Sequence, residues 1–212
     1  TKFAGFESVT SVDTEGNKEI SYYHQGNESK TTMGEYDDSQ YKIGREYRTE
    51  TYDKNNVLVK TVITKWGSGD LGTNRSLIYP EKILTRISAG GSYDTAVGYT
   101  YDTAYGQMVH MSDLGIVTGN NDGSFTDVGS DAQTTEYKYI TNGTIVRQSL
   151  VTRRDQAGKV LAQSAAIYDN GVLKRGLVTE TQNWLTATTT AKTKFTYNSF
   201  GLPLTTTDPL GN

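Results

Sequence analysis

Two imidazoles, His24 and His110, and 24 carboxylates are the groups in this 212-residue sequence that could carry acid, base or metal chemistry, and there is no cysteine. Nucleophilic or general-base catalysis needs a histidine beside a Ser, Thr or Asp, with a third group to orient it. Both histidines fall in strand-like runs among Tyr and Thr without such a set, so each reads as structural. The missing cysteine removes disulfides, thiolate zinc sites and cysteine nucleophiles together, and leaves the compartment open. Paired carboxylates for glycoside hydrolysis stay open, because acidic residues distant in sequence can meet in space. The adjacent pair Asp37-Asp38, however, sits in an expected loop, where solvation accounts for it. No residue is assigned a catalytic role, no cofactor is expected, and the chain reads as non-enzymatic.

Ligand sites fare no better. The segment from Thr118 to Gly129 places Asn120, Asp122 and Gly123 at the third, fifth and sixth positions of a calcium-binding loop. Thr118 and Gly129 stand where such a loop needs its first carboxylate and its bidentate terminal glutamate. A glycine-rich turn before a short strand at Phe125 is the better reading, and no metal site is assigned. With 15 Tyr, 5 Phe and 2 Trp the chain could stack bases or sugars. Nucleic acid is excluded as a partner, since 21 Lys and Arg face 24 Asp and Glu and leave no basic footprint. Sugar survives as the alternative function, a stand-alone carbohydrate-binding or adhesin module marked by glycan binding through Trp66 or a surface Tyr. Aromatic rows also arise from cross-strand packing alone, which is the simpler reading.

The elements that would position these groups are strands. Only 34% of the chain is hydrophobic, a poor supply for one dense core, yet the aromatic and β-branched content is too high for disorder. With 22 Gly and 3 Pro, these residue types point to short strands joined by glycine turns. Alternating runs predict thirteen strands at about 6–13, 17–25, 44–53, 57–66, 77–88, 94–101, 106–117, 132–140, 144–154, 159–168, 172–183, 189–197 and 202–207. The apolar set shifts face near Val62, which suggests a bulge there. No segment supports a helix, and no run is long and apolar enough to cross a membrane, so membrane insertion by this stretch is not expected. Segments 26–39, 67–74 and 119–130 read as long loops. Asn142-Gly143 and Asn170-Gly171 read as tight type I′ hairpins.

Turns recur with one chemistry. Asp13 to Asn17 and Asp208 to Asn212 share the pattern DxxGN, and Asp155 to Gly158 is a relative. Asp at the first position can accept backbone N–H bonds while Gly supplies the positive φ that reverses the chain. The dipeptide Tyr-Asp recurs as well, at Tyr36-Asp37, Tyr52-Asp53, Tyr93-Asp94, Tyr101-Asp102 and Tyr168-Asp169, the last followed by Gly171, with Tyr197-Asn198 as a variant. Tyr197-Asn198 leads through Gly201 to Asp208 and Gly211, and Tyr101-Asp102 echoes it through Gly106, Asp113 and Gly115 with one residue inserted. The repeating unit would be a strand ending in Tyr, a turn opened by Asp and closed by Gly, and a returning strand. Unequal intervals make this a degenerate array.

These strings resemble a known family. YNSFGLPLTTTDPLGN, from Tyr197 to Asn212, is similar to an RHS or tyrosine–aspartate (YD) repeat. Phe3-Ala4-Gly5-Phe6, Tyr22-Tyr23-His24-Gln25-Gly26 and Gly44 to Asp53 resemble the stretch joining the SpvB-like and propeller part to the repeat shell in insecticidal toxin-complex B-type proteins. The resemblance implies an all-β fold of antiparallel hairpins in a curved, open repeat sheet, part of a shell that encapsulates or presents a toxic C-terminal domain. It also implies a secreted or bacterial cell-surface polypeptide. Neighbouring repeats, an enclosed toxin domain or toxin-complex subunits would be its partners. Residues 1–130 correspond to the irregular connecting region and 131–212 to hairpin repeats. Shell relatives that cleave themselves do so at a motif with no counterpart here beyond Asp208-Pro209, which reads as a repeat turn. An open sheet edge is expected near Thr205 to Thr207, and unpaired edges associate. Sedimentation of the 212-residue chain should therefore show concentration-dependent self-association, and a monomer at high concentration would contradict the open edge.

Overall fold

The computed structural model describes residues 5–72, 75–91, 93–186 and 188–212. Phe3 and Ala4 of the family-like string, and the last two residues of the expected loop 67–74, lie outside them. The described chain is all-β, an open antiparallel sheet of fourteen strands in which spatial order follows chain order except that β8 hangs on β7. Its only helical pieces among the described residues are single 3₁₀ turns at Thr31–Met33 and Asp169–Gly171. The chain divides into two compact units, 5–107 with 111–132 and 108–110 with 133–212.

The first unit contains β1 (Ser8–Val12), β2 (Lys18–Tyr23), β3 (Glu46–Tyr52), β4 (Leu58–Asp70), β5 (Ser76–Ile87), β6 (Tyr93–Tyr101), most of β7 (Met108–Gly119) and β8 (Phe125–Asp127). Strand alternation sends one row of side chains to a single face. Ile63 faces Leu84, Leu84 faces Ala96, and these three with Val117 are buried, with Leu114 and Phe125 packed against them. The loop 26–45 and the turn between β7 and β8 close over this row. Gly34 and Gly123 make that approach possible: a Cβ at Gly34 would overlap Ile63 Cγ2, and one at Gly123 would stand 2.9 Å from it. The second unit contains β9 (Gln133–Asn142), β10 (Ile145–Asp155), β11 (Val160–Tyr168), β12 (Val178–Trp184), β13 (Thr190–Tyr197) and β14 (Pro203–Thr207). Its buried apolar side chains among the described residues are Tyr168 and Leu173. The low hydrophobic fraction thus has its counterpart in a sheet that gathers little core.

Several expectations need correction. The segment 67–74 is not a loop through its length, because β4 extends to Asp70 and pairs Gly67 with Tyr79 and Asp70 with Ser76. Register shifts flank Val62 on both sides: β4 carries Val59 as an extra residue opposite β3, and between Lys65 and Trp66 the extra residue is Glu81 on β5. Asn142 pairs with Ile145, so the tight turn is Gly143-Thr144, with φ +59 only at Gly143. That is the type II′ pattern, with Gly first, in place of type I′. Asn170-Gly171 is not a tight two-residue turn: the strand expected from 172 starts at Val178, and β11 and its paired neighbour β12 are joined by a connection that spans 169–177. The short strand expected at Phe125 is β8, the fourteenth beside the thirteen longer runs.

Among the described residues six turns share one geometry, opened by Asp13, Asp53, Asn120, Asp155, Asn198 and Asp208. In each, the N–H of the first residue donates to the carbonyl four residues on, and the N–H of the fourth donates back to the first carbonyl, at 2.8–3.2 Å. The fourth residue is Gly16, Asn56, Gly123, Gly158, Gly201 or Gly211, all with φ between +62 and +92. At Asp13, Asp53, Asn198 and Asp208 the side-chain Oδ1 also accepts the N–H groups two and four residues on. Hairpins β3–β4, β10–β11 and β13–β14 then carry one extra residue on the returning strand, Val59, Leu161 and Leu204.

Two outcomes follow from this packing. Gly34→Ala combines a left-handed backbone with a clash on Ile63, and should cost roughly 2–4 kcal/mol in urea unfolding. The Asp169 carboxylate accepts N–H bonds from Lys174, Arg175 and Gly176 at 2.7–2.8 Å and from Leu177 at 3.3 Å. Burial opposes ionisation there, but these donors outweigh it and hold the pKa at about 2. The folded value lies below the unfolded one, so this stabilisation is present above pH ~4 and is lost as the pH falls toward ~2. After discounting for solvent it is of the order of 1 kcal/mol. Acid titration of Asp169→Asn should show that component missing, with the 169–177 loop opened to proteolysis.

Candidate functional site

The densest group of buried polar side chains lies in the first unit, where loop 26–45 packs on the start of β3. Among the described residues His24, Glu35, Asp38, Lys42, Arg48 and Glu50 are all buried there. The cause is local. β2 pairs Tyr22 with Arg48 and Tyr23 with Glu46, which leaves Tyr47 as an extra, bulged residue on β3. A bulge re-aims side chains that regular alternation would send to opposite faces. Tyr47 and Arg48 are neighbours, and both meet groups of the same loop.

Arg48 ties three segments together. Its Nη1 donates to Met33 O at 3.2 Å and Asn121 O at 3.0 Å, and its Nη2 to Asn121 Oδ1 at 2.8 Å. Its Nε donates to Glu50 Oε1 at 2.7 Å. Glu50 Oε2 accepts the hydroxyls of Tyr52 at 2.6 Å and Tyr22 at 3.2 Å. Burial would raise Glu50, yet these donors and the guanidinium hold it below the usual carboxylate value, while the bond to Glu50 pushes Tyr52 up to about 12. Tyr36 completes the clamp by donating to Asp122 O at 2.7 Å, and Asn121 Nδ2 donates to Thr32 O at 3.0 Å.

Beside the clamp, His24 Nδ1 lies 3.0 Å from Asp38 Oδ1 and 3.2 Å from Glu35 Oε1. Asp38 also accepts the N–H groups of Gly26 at 2.9 Å and Asn27 at 2.8 Å, and Glu35 Oε2 accepts that of Lys30 at 2.9 Å. Burial holds His24 below its ordinary pKa and Glu35 above its own. At Asp38 burial works the same way but loses to the backbone donors and His24, so its pKa falls. Tyr47 is pushed up to about 12 by burial, with Glu35 the next cause. One imidazole and two carboxylates within 4.8 Å of one another can exchange a proton or hold a metal ion. The expectation that Asp37-Asp38 is a solvated pair is corrected for Asp38, whose side chain is fully buried. His24 stands just past β2, at the strand's end.

The repeat residues are placed as follows. Tyr52-Asp53, Tyr101-Asp102, Tyr168-Asp169 and Tyr197-Asn198 each end a strand and open a turn, whereas Tyr36-Asp37 lies in the long loop and Tyr93-Asp94 inside β6. Asp102 N–H reaches Gln107 O, five residues on, one more than the shared geometry, and Gly106 has φ +71. Gly171, Gly201 and Gly211 all have positive φ. Asp113 lies within β7, where its Oδ1 accepts Gly115 N–H at 3.1 Å, so this pair kinks a strand where a turn was expected. Tyr168 and Tyr197 hydroxyls donate to Gln148 O and Val178 O of the preceding strand at 2.8 and 2.7 Å. Sequence reasoning missed Glu35, Asp38, Tyr47 and Arg48. The detectable sign was charge on the inward positions of EYRTETY in β3.

No family model and no curated protein matches the chain. Two solved structures are weak structural neighbours. One is a mutant of the Photorhabdus luminescens Tc holotoxin pore, at 14% identity and a TM-score of 0.30 over 95% of this chain. The other is a crystal structure of TcdB2-TccC3-TEV, at 13% identity and a TM-score of 0.29 over 94% of this chain. This chain spans 12% of the length of each.

Arg48→Lys keeps the charge but cannot reproduce the forked contacts to Glu50, Met33 and Asn121. It should cost about 2–5 kcal/mol in chemical denaturation, and limited proteolysis should cut first within residues 26–45.

Proposed function

We propose that the chain is a structural, non-catalytic stretch of a large bacterial polypeptide of the tyrosine–aspartate-repeat, toxin-complex kind, secreted or held at the cell surface, whose sheet forms part of a wall that encloses or presents another domain. The observation that carries this reading is the recurrence of one turn geometry at six places along a single open sheet. A protein built around one ligand or one reaction has no need to repeat a hairpin device, whereas a wall grows by repeating it. The sequence resemblance to YD repeats at Tyr197 to Asn212 supports the same reading. In the parent polypeptide the partners of the sheet are further repeats, and the wall's contents or toxin-complex subunits contact its faces.

The alternative as a glycan-binding module would rest on an exposed aromatic platform. Trp66 does not offer one, because its indole N–H donates to Glu46 O at 2.8 Å and the Arg45 guanidinium covers its ring at 5.2 Å.

Electron cryomicroscopy of the full product of the reading frame tests the proposal. The free edge of β14 should be paired with a following strand and the sheet should bound an enclosed volume. A product in which that edge stays in solvent would sink it. Glycan-array binding that is saturable and lost on mutating an exposed tyrosine such as Tyr41, or Trp66, would favour the module instead.

A further inference from the structure

The His24, Glu35 and Asp38 cluster poses a problem that its protein partners do not solve. Nδ1 of an imidazole carries at most one proton, yet two carboxylate oxygens lie within 3.2 Å of it, in a site where all three side chains are at most 3% exposed. Lys42 is also buried, but its ammonium is committed elsewhere, to Asp37 Oδ2 at 3.0 Å and Tyr36 O at 3.3 Å. Two carboxylates taken out of water need more positive charge than a shared proton supplies.

An independent observation comes from Tyr47. Its residue is 1% exposed, its ring lies 5.3 Å from that of His24, and its hydroxyl is buried without a hydrogen-bond partner. An unsatisfied buried hydroxyl is costly, and an absent ion or water is one of its ordinary explanations. Tyr47 and Glu35 together line a cleft of about 440 Å³, bounded also by Tyr23, Gln25 and Lys30. The cleft reaches the cluster at Glu35.

We propose that His24 Nδ1, Glu35 Oε1 and Asp38 Oδ1 bind a transition-metal dication of the zinc type, beside the ring of Tyr47. The separations of 3.0 and 3.2 Å between these atoms are close to the edge, about 3.3 Å, of a tetrahedron whose metal–ligand bonds are about 2.0–2.1 Å. The remote oxygens are held by backbone, Asp38 Oδ2 by Asn27 N–H and Glu35 Oε2 by Lys30 N–H, while Asp38 Oδ1 takes Gly26 N–H on one lone pair and keeps the other toward His24. Each carboxylate therefore offers one oxygen, with its orientation fixed by an outer hydrogen bond of the kind that supports metal ligands. The same restriction disfavours calcium, which takes six to eight oxygens. The donor set of one imidazole and two carboxylates suits zinc first and manganese second. Binding displaces the Nδ1 proton, so affinity falls as the pH falls. The ion would pin loop 26–39 to the end of β2.

The test is a calorimetric titration of the chelator-stripped 212-residue chain with zinc sulfate at neutral pH, with Tm recorded in parallel. One equivalent should bind with a micromolar or tighter Kd and raise Tm. Glu35→Gln preserves the side-chain shape and should weaken binding at least tenfold, read from the Kd of the folded variant whatever its metal-free Tm. X-ray absorption on the wild-type complex keeps the proposal falsifiable even if that variant does not fold. It should show an imidazole and oxygen shell at about 2.0–2.1 Å. No binding at millimolar zinc, equal affinity in Glu35→Gln, or a shell without imidazole would each overturn the assignment. The structural-wall proposal stands or falls separately, on the pairing of β14.

Discussion

A carboxylate that accepts backbone N–H groups at a chain reversal is the interaction on which this structure depends. An antiparallel sheet satisfies its backbone through its ladders and leaves orphaned donors only where the chain turns. With little apolar surface to bury, such a sheet cannot force its turns into place by packing. The turns have to form from their own chemistry, and they do so through Asp13, Asp53, Asp102, Asp155, Asp169, Asn198 and Asp208. Glycine or asparagine with positive φ supplies the other half. The lowered pKa values of Asp53 and Asp208 reflect this, since the charged form is the one the backbone donors select, while at Asp13 the Asn17 side-chain amide leads and the backbone donors add to it.

Where the chain departs from this economy it does so once, at loop 26–45. That segment is too long to be closed by a turn residue, so it is held by charge. Arg48, Glu50, Lys42 and the His24 cluster take the place of a hydrophobic core under the loop, while the Ile63, Leu84, Ala96 and Val117 row supports its far side. Buried ionic groups of this kind contribute less to net stability than to choosing one arrangement, because breaking any pair leaves an uncompensated charge behind.

The sequence made the sheet legible because its two signals are local. Alternation and Asp or Gly at fixed offsets located twelve of the thirteen expected strands within a few residues, the exception being the one expected from 172, which starts at Val178, and placed Phe125 on a short strand. Errors arose where a distant contact decided the outcome. Gly67 to Asp70 carries loop composition, yet pairing with Ser76 to Tyr79 extends the strand through it. Asn170-Gly171 carries a hairpin signal, but the Asp169 carboxylate gathers four N–H groups from residues 174–177 and opens a wider loop. The buried cluster was hidden for the same reason: Asp38 looks solvated in a polar loop until His24, 14 residues away, is placed against it.

The Arg48 clamp also imposes an order on the chain's assembly. Its bonds to Asn121 join residues 73 apart, so they cannot form until the β7–β8 turn exists. At a synthesis rate of about 5–20 residues per second, that interval is roughly 4–15 s. Hairpins β1–β2 and β3–β4 close on nearby residues and can form as they emerge, but the loop threaded between them must wait. A segment that leaves the ribosome early is thus among the last to settle, and the Ile63 and Leu84 row it covers stays open to other contacts until then.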